Sequence, residues 1–280
     1  MRNTILPRPA LCFLVLLPLL SSQPVSGNVI VSPDSLTSSS SSPVLVVHGG
    51  AGSLAPQYYQ GKLDGMKAAV RAGHRVLTQS GNVLDAVEAA IKVMEDDPNF
   101  NAGRGSKLNI FGEVEMDASI MDGSSLKVGA VASVGGLRHP VTAARAVMEN
   151  TSHVLLVSSG AERMAGRWGL EQAGEDWLVT QHSRDLLEEF LAEHNITHLR
   201  GQQRWQADCL GQQAGSGTVG AVAYYGGTLA AATSTGGITG KLPGGVGDSP
   251  LVGHGVLADD QRSDLNSQNM SLNLTLSVRV

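Results

Sequence analysis

Two threonines, Thr218 and Thr235, stand at the far ends of two β-patterned runs joined by Gly226-Gly227. A Gly-Gly pair suits a two-residue hairpin turn of type I′ or II′, which requires positive φ at its centre. Zipped back from that turn, Thr218 falls opposite Thr235, and directly opposed side chains have Cβ atoms about 4.5–5.5 Å apart. Facing threonines are ordinary in sheets, but Thr218 follows the flexible stretch Gly215-Ser216-Gly217. Glycine tolerates the backbone strain that a bond to be cut would carry. Cleavage between Gly217 and Thr218 would give Thr218 a free α-amine, with an ordinary pKa of about 8, beside its own hydroxyl. A threonine hydroxyl paired with an N-terminal amine as general base is an activated nucleophile.

The elements that must carry this pair follow from periodicity. Residues 44–47 read as a short buried strand. Helical spacing marks 60–79, through Leu63, Met66, Val70 and Leu77, and 83–95, through Leu84, Val87, Ile91 and Met94, with Asn82 as the cap of the second helix. Strands are expected at 107–110, 114–120, 128–134 and 154–157. Helices are expected at 140–148, where Pro140 makes a good first residue, and at 184–193. Strands flanked by helices fit a layered α/β or α+β domain. Residues 194–217 form a polar loop, and loops of that length are functional or disordered.

The wording around the hairpin is also familiar. Gly217-Thr218-Val219-Gly220-Ala221-Val222-Ala223, Ala232-Thr233-Ser234-Thr235-Gly236-Gly237 and Val246-Gly247-Asp248-Ser249-Pro250 closely resemble the β-aspartyl threonine hydrolases, the plant-type asparaginase and isoaspartyl peptidase family. His48-Gly49-Gly50-Ala51-Gly52, Phe100-Asn101-Ala102-Gly103 and residues 113–123 resemble the α-subunit of the same family, in the same order. The resemblance runs from about Val44 to Asp260. It implies an α+β, four-layer αββα sandwich, with residues 44–217 as the α-subunit-like segment and 218–260 as the start of the β-subunit-like one. It implies that Thr218 is the autoprocessing site and nucleophile, that Thr235 supports it, that Asp248 receives a substrate α-ammonium and that Asn101 borders the nucleophile. The implied substrates are L-asparagine and isoaspartyl peptides, with no organic cofactor. A structural sodium on the 94–104 loop occurs in some relatives. An αβ heterodimer cut from one precursor, and a homodimer of these, are the implied assemblies.

Two departures accompany the resemblance. Where the family has an arginine before Val246, which grips the substrate α-carboxylate, this chain has Gly245; Lys241 and Arg104 are the candidate substitutes. After Asp260 the similarity stops, and a family segment that helps to form the oxyanion hole finds no match, so a catalytically incomplete, truncated isoform is the alternative to an active hydrolase. A glycosylasparaginase-like lysosomal hydrolase is a further alternative. The tail 261–280 alternates apolar and polar residues from Met270 to Val280, a strand pattern that either lies along a sheet edge or is exposed and aggregation-prone.

Arg2 and Arg8 precede an apolar run and the small residues Val25-Ser26-Gly27, the pattern of a secretory signal over 1–27 that directs the chain to the extracellular space or lysosome. A Ser-rich linker follows over 28–43. Loss of the leader would remove Cys12 and leave Cys209 without an internal disulfide partner. Cys209 has no His/Asp pattern around it, which favours a bystander over a nucleophile. Asn195 and Asn150 head glycosylation sequons; Asn195 is the better acceptor because Asn150 is expected near packed structure, and Asn269 and Asn273 head two more in the tail. A net charge of −5 with no basic run gives no footprint for nucleic acid or an anionic membrane, so a small molecule or dipeptide is the expected partner. The His48 motif lacks dinucleotide spacing and reads as a tight turn. Glu113, Glu115, Asp117 and Asp122 read as hydrogen-bonded rather than as a catalytic metal site.

Overall fold

The computed structural model describes residues 14–16, 42–50, 56–196 and 217–260. The expected leader apart from 14–16, most of the expected Ser-rich linker, Cys209, residues 197–216 and the tail with its two sequons lie outside them. The described residues are α+β, as expected, and form one seven-stranded mixed sheet. In chain order its strands are β1 (Leu14–Leu16), β2 (Val44–His48), β3 (Met116–Asp122), β4 (Val128–Val134), β5 (Leu155–Val157), β6 (Val219–Tyr225) and β7 (Thr228–Thr235). Their order across the sheet is β1-β2-β6-β7-β3-β4-β5. All pairings are antiparallel except β4 with β5.

The helices are α1 (Pro56–Ser80), α2 (Val83–Asp96), α3 (Pro140–Asn150), α4 (Ser158–Arg167), α5 (Glu175–Leu178) and α6 (Gln181–Glu193). Asn82 caps α2 as expected, its side-chain oxygen accepting from Leu84 N at 2.9 Å and Asp85 N at 3.1 Å. Helix α6 starts at Gln181 rather than 184 because Thr180 caps it by accepting from Ser183 N. Two helices, α4 and α5, are additions to the sequence reading. Gly160 and Gly166 weaken the helical signal of α4, and no side chain caps its start. The strand expected at 107–110 is instead a turn. The Asn109 side chain accepts from Phe111 N and Glu113 N, and only isolated bridges, Leu108 to Val114 and Asn109 to Lys241, remain.

Alternation gives the sheet two unlike faces. One face contributes Leu45, Val47, Ala118, Ile120, Val219, Ala221, Ala223, Ala230 and Ala232 to the main core, together with Val70, Ile91, Met94 and Val147 of the helices. On the other face, Met121, Val222 and Ala231 form a small cluster closed by Val256 and Ala258. The sheet and its helical layer are thus one αβ pair of the sandwich that the resemblance implies. Helix α3 lies so close to β4 that a Cβ on Gly129 would overlap the Ala144 carbonyl and the Met148 amide. Gly129→Ala should therefore cost about 1–3 kcal/mol by overpacking. Gly160→Ala, on α4 with open space around it, should be neutral or gain up to about 1 kcal/mol. Denaturant unfolding of both variants checks the contrast.

Candidate active site

The hairpin has the expected register. Val219 pairs with Ser234 and Tyr225 with Thr228, and Gly226 and Gly227 both take positive φ, 60° and 87°, as a type I′ turn requires. Thr218 sits one residue before β6, which places it opposite Thr235. It also lies on the face away from the helices, because Val219 and Ala221 point into the main core. The same alternation puts Thr233 and Thr235 of β7, and Asp117 and Ser119 of β3, on that face; Asp117 pairs with Thr235 and Ser119 with Thr233. A band of hydroxyls and one carboxylate therefore crosses three neighbouring strands.

The band is covered by the loop after β7. The Ser249 hydroxyl lies 3.2 Å from Thr218 Oγ1. Its carbonyl accepts from Ser119 Oγ at 2.7 Å and from Thr233 Oγ1 at 2.8 Å. Ser249 is thus the pin that satisfies buried hydroxyls and lays the loop across them. Asp248 stands half-buried in the same loop, with no ion pair among the described residues. Thr218 itself is only 8% exposed. Thr235 Oγ1 accepts from Gly237 N at 3.0 Å, which fixes the turn leaving β7. Asn101 ties that turn to the loop after α2, donating to Gly237 O at 2.7 Å and accepting from Lys107 N at 2.8 Å. A Cβ on Gly217 would lie 3.4 Å from Asn101 Cβ, so Asn101 borders the residue before Thr218.

The acidic residues before and on β3 are hydrogen-bonded. Asp117 accepts from Ser133 N at 2.8 Å and from Gly247 N at 3.4 Å. Glu115 accepts from Gly244 N and from Ser133 Oγ at 2.8 Å. The two carboxylates hold both ends of the segment that contains Gly245. Burial raises the pKa of Asp117, against the opposing pull of Ser133 N, Lys241 and Gly247 N. Among the described residues no three His, Cys, Asp or Glu side chains cluster as metal ligands.

Both candidate substitutes for the arginine that Gly245 replaces have neighbours of their own. Lys241 is buried and donates to Glu115 O at 2.7 Å. Arg104 is exposed over the Trp177 ring, 5.7 Å from its centroid. The turn at Gly245 is tight as well, since its amide donates to Leu242 O and an added Cβ would come within 2.8 Å of that carbonyl. Of the two sequons in described segments, Asn150 is exposed at the end of α3, contrary to the expectation that packing would cover it. Asn195 is exposed too.

Sequence reasoning gave no role to His48, Ser119, Thr233 or Ser249; the signal was the two-residue spacing of polar residues in β3 and β7. His48 pairs with Gly220 on the same face and fills the space where a Gly220 side chain would be. Burial holds its pKa down at about 4, and the nearby Thr218 main chain opposes this only in part. Neither ring nitrogen has an aligned partner among the described residues. His48 is therefore neutral at pH 7. An unfolded chain would protonate it near 6.5, so its contribution is complete above that pH and is lost as pH falls towards 4. Between pH 7 and pH 5 the wild type should lose roughly 2 kcal/mol more unfolding free energy than His48→Gln. Glu95 and Asp117, whose pKa values burial raises, act equally in both chains and cancel. Equal losses in the two proteins would contradict the neutral, buried imidazole.

Comparison with known proteins finds relatives over most of the chain. The sequence profile described as asparaginase matches residues 41–265. The isoaspartyl peptidase/L-asparaginase of Bos taurus is 46% identical over 220 residues, covering 78% of this chain and 68% of that protein. The human protein of the same name is 45% identical over 220 residues, with the same coverage. The Rattus norvegicus one is 45% identical over 219 residues, covering 78% of this chain and 62% of its own length. The aligned region thus spans about two thirds of these relatives.

Proposed function

The chain belongs to the asparaginase family, and on that premise we propose that it is a self-cleaving hydrolase of β-aspartyl amides with Thr218 as nucleophile. Its family makes it a hydrolase; the threonine chemistry is our reading. The observation that carries it is the position of Thr218, after Gly217 and on the hydroxyl face under the Ser249 loop.

In the first step Thr218 Oγ adds to the Gly217 carbonyl carbon, and the Gly217–Thr218 C–N bond breaks as an ester forms. The Oγ proton passes to the departing nitrogen, which becomes the Thr218 α-amine, and water then hydrolyses the ester, releasing a Gly217 carboxylate and restoring the Thr218 hydroxyl. In turnover that amine accepts the proton from Oγ as Oγ attacks the β-carbonyl of the substrate. Ammonia leaves from L-asparagine, or an amine from an isoaspartyl peptide. Water then releases aspartate from Thr218 and regenerates the hydroxyl. Thr235, which fixes the turn beside Asn101, keeps the exit of β7 in place, and Asp248 takes the α-ammonium. No organic cofactor enters these steps. The products of self-cleavage stay together as an αβ pair, because β6 lies between β2 of one fragment and β7 of the other.

The leader pattern supports passage through the secretory pathway, with glycans on exposed Asn195 and Asn150. Sequencing the mature N-terminus of protein secreted from cultured cells tests this. A start near residue 28, which would take β1 from the edge of the sheet and leave β2 there, is expected, and an intact Met1 end would exclude it.

The functional reading is tested on the full chain by intact mass and by ammonia release from L-asparagine. Wild type should yield two fragments divided between Gly217 and Thr218, and Thr218→Ala a single chain. Thr218→Ala should also lose at least about 10³-fold in kcat/KM. An uncut wild-type chain with no turnover would overturn the proposal.

A further inference from the structure

Asp248 must stand at a fixed distance from Thr218 if it is to hold an ammonium while Thr218 attacks, yet its own loop does little to keep it there. Leu242 and Val246 are exposed. Gly244 and Gly247 are unpacked, since among the described residues nothing lies within 4 Å of a Cβ built on either. The two turns of the loop close on their own residues, through Gly245 N to Leu242 O at 2.9 Å and Leu251 N to Asp248 O at 2.8 Å. The placing of residues 242–248 therefore depends on main-chain amides held from outside.

Two carboxylates supply that hold. Glu115 accepts from Gly244 N with both oxygens, at 2.9 and 3.1 Å, and Asp117 Oδ2 accepts from Gly247 N at 3.4 Å. Both carboxylates are themselves held. Glu115 accepts from Ser133 Oγ at 2.8 Å and from Asn109 Nδ2 at 3.3 Å, and its carbonyl takes the ammonium of Lys241, where the loop begins. Asp117 is buried on β3, and its Oδ1 accepts from Ser133 N at 2.8 Å. It pairs with Thr235, so its Cα is two strand spacings, about 10 Å, from that of Thr218. Ser119 of the same strand donates to Ser249 O at 2.7 Å. Asp248 is thus bracketed by bonds from Gly247 and Ser249 to a single strand.

We propose that Glu115 and Asp117 are positioning residues for substrate binding: by holding Gly244 and Gly247 they set the distance between Asp248 and Thr218. The inference rests on the reading of Asp248 as the ammonium site. It requires a carboxylate at both positions. Each of the four oxygens accepts from at least one donor, whereas an amide side chain has one acceptor oxygen and would set an NH2 group against the remaining donors.

The test titrates L-aspartate, and succinate, which lacks the α-ammonium, into the full chain by calorimetry. Wild type should prefer L-aspartate. Glu115→Gln and Asp117→Asn should each weaken L-aspartate binding at least about fivefold and leave succinate binding unchanged. In an Asp248→Asn background neither substitution should weaken L-aspartate further, because the group that they position is gone. Ser133→Gly takes the hydroxyl from Glu115 and relaxes a φ of 51°, so it should weaken L-aspartate without lowering Tm. That variant gives the answer if the carboxylate variants fail to fold. Equal losses for the two ligands, losses that add to that of Asp248→Asn, or an unchanged preference in every folded variant would overturn the proposal. A wild type that binds both ligands alike overturns the Asp248 reading and the proposal with it, while self-cleavage is read separately by mass.

Discussion

The two-residue alternation of β7 is the constraint on which the rest depends. Ala230 and Ala232 turn towards the helices and Ser234 follows them, donating to the buried Glu95 at 2.7 Å. Ala231, Thr233 and Thr235 must then face the other way. A one-residue slip in the hairpin would exchange the faces, placing hydroxyls against the helical core and alanines under the Ser249 loop. The turn at Gly226-Gly227 prevents that slip, because few residues other than glycine accept its two positive φ angles. A surface turn far from the chemistry thereby decides which way Thr218 points.

Once the faces are set, the loop after β7 must satisfy what the sheet buries. Ser119 and Thr233 would be costly without partners, and the Ser249 carbonyl serves both. The Ser249 hydroxyl reaches Thr218 from the same residue, so pairing of the buried hydroxyls and placement beside Thr218 are one arrangement. Glu115 and Asp117 do the same for the loop's approach. They bind the amides of Gly244 and Gly247 and also hold Ser133, whose φ of 51° marks the irregularity between β3 and β4. A strained residue is kept where the loop after β7 has its anchors.

Much of this was legible in the residues. The hairpin register, the Asn82 cap and the extent of β4 follow from local rules, and those rules were enough, whereas the placing of Asn101 near the hairpin came from the resemblance. What escaped was set by partners distant in sequence. The 107–110 segment has strand-like composition, but the Asn109 side chain turns it, an outcome that depends on one residue's hydrogen bonds rather than on periodicity. The Ser249 contacts bridge 31 residues to Thr218 and 130 to Ser119, distances over which no spacing rule operates. Lys241 reads as a candidate substrate-binding cation, and its burial and its bond to the Glu115 carbonyl are set by a partner 126 residues away. His48 reads as part of a glycine turn, and only its pairing with Gly220 explains how an imidazole fits there.

The central claim is that the hydroxyl of Thr218, and no other nucleophile, attacks the β-carboxyl carbon. The most direct measurement treats the full chain with an electrophilic β-aspartyl analogue and locates the adduct by fragment mass spectrometry. The account predicts one label, on the side chain of the residue that begins the new N-terminus, Thr218. A label on Cys209 or Ser249, with Thr218 unmodified, would contradict it.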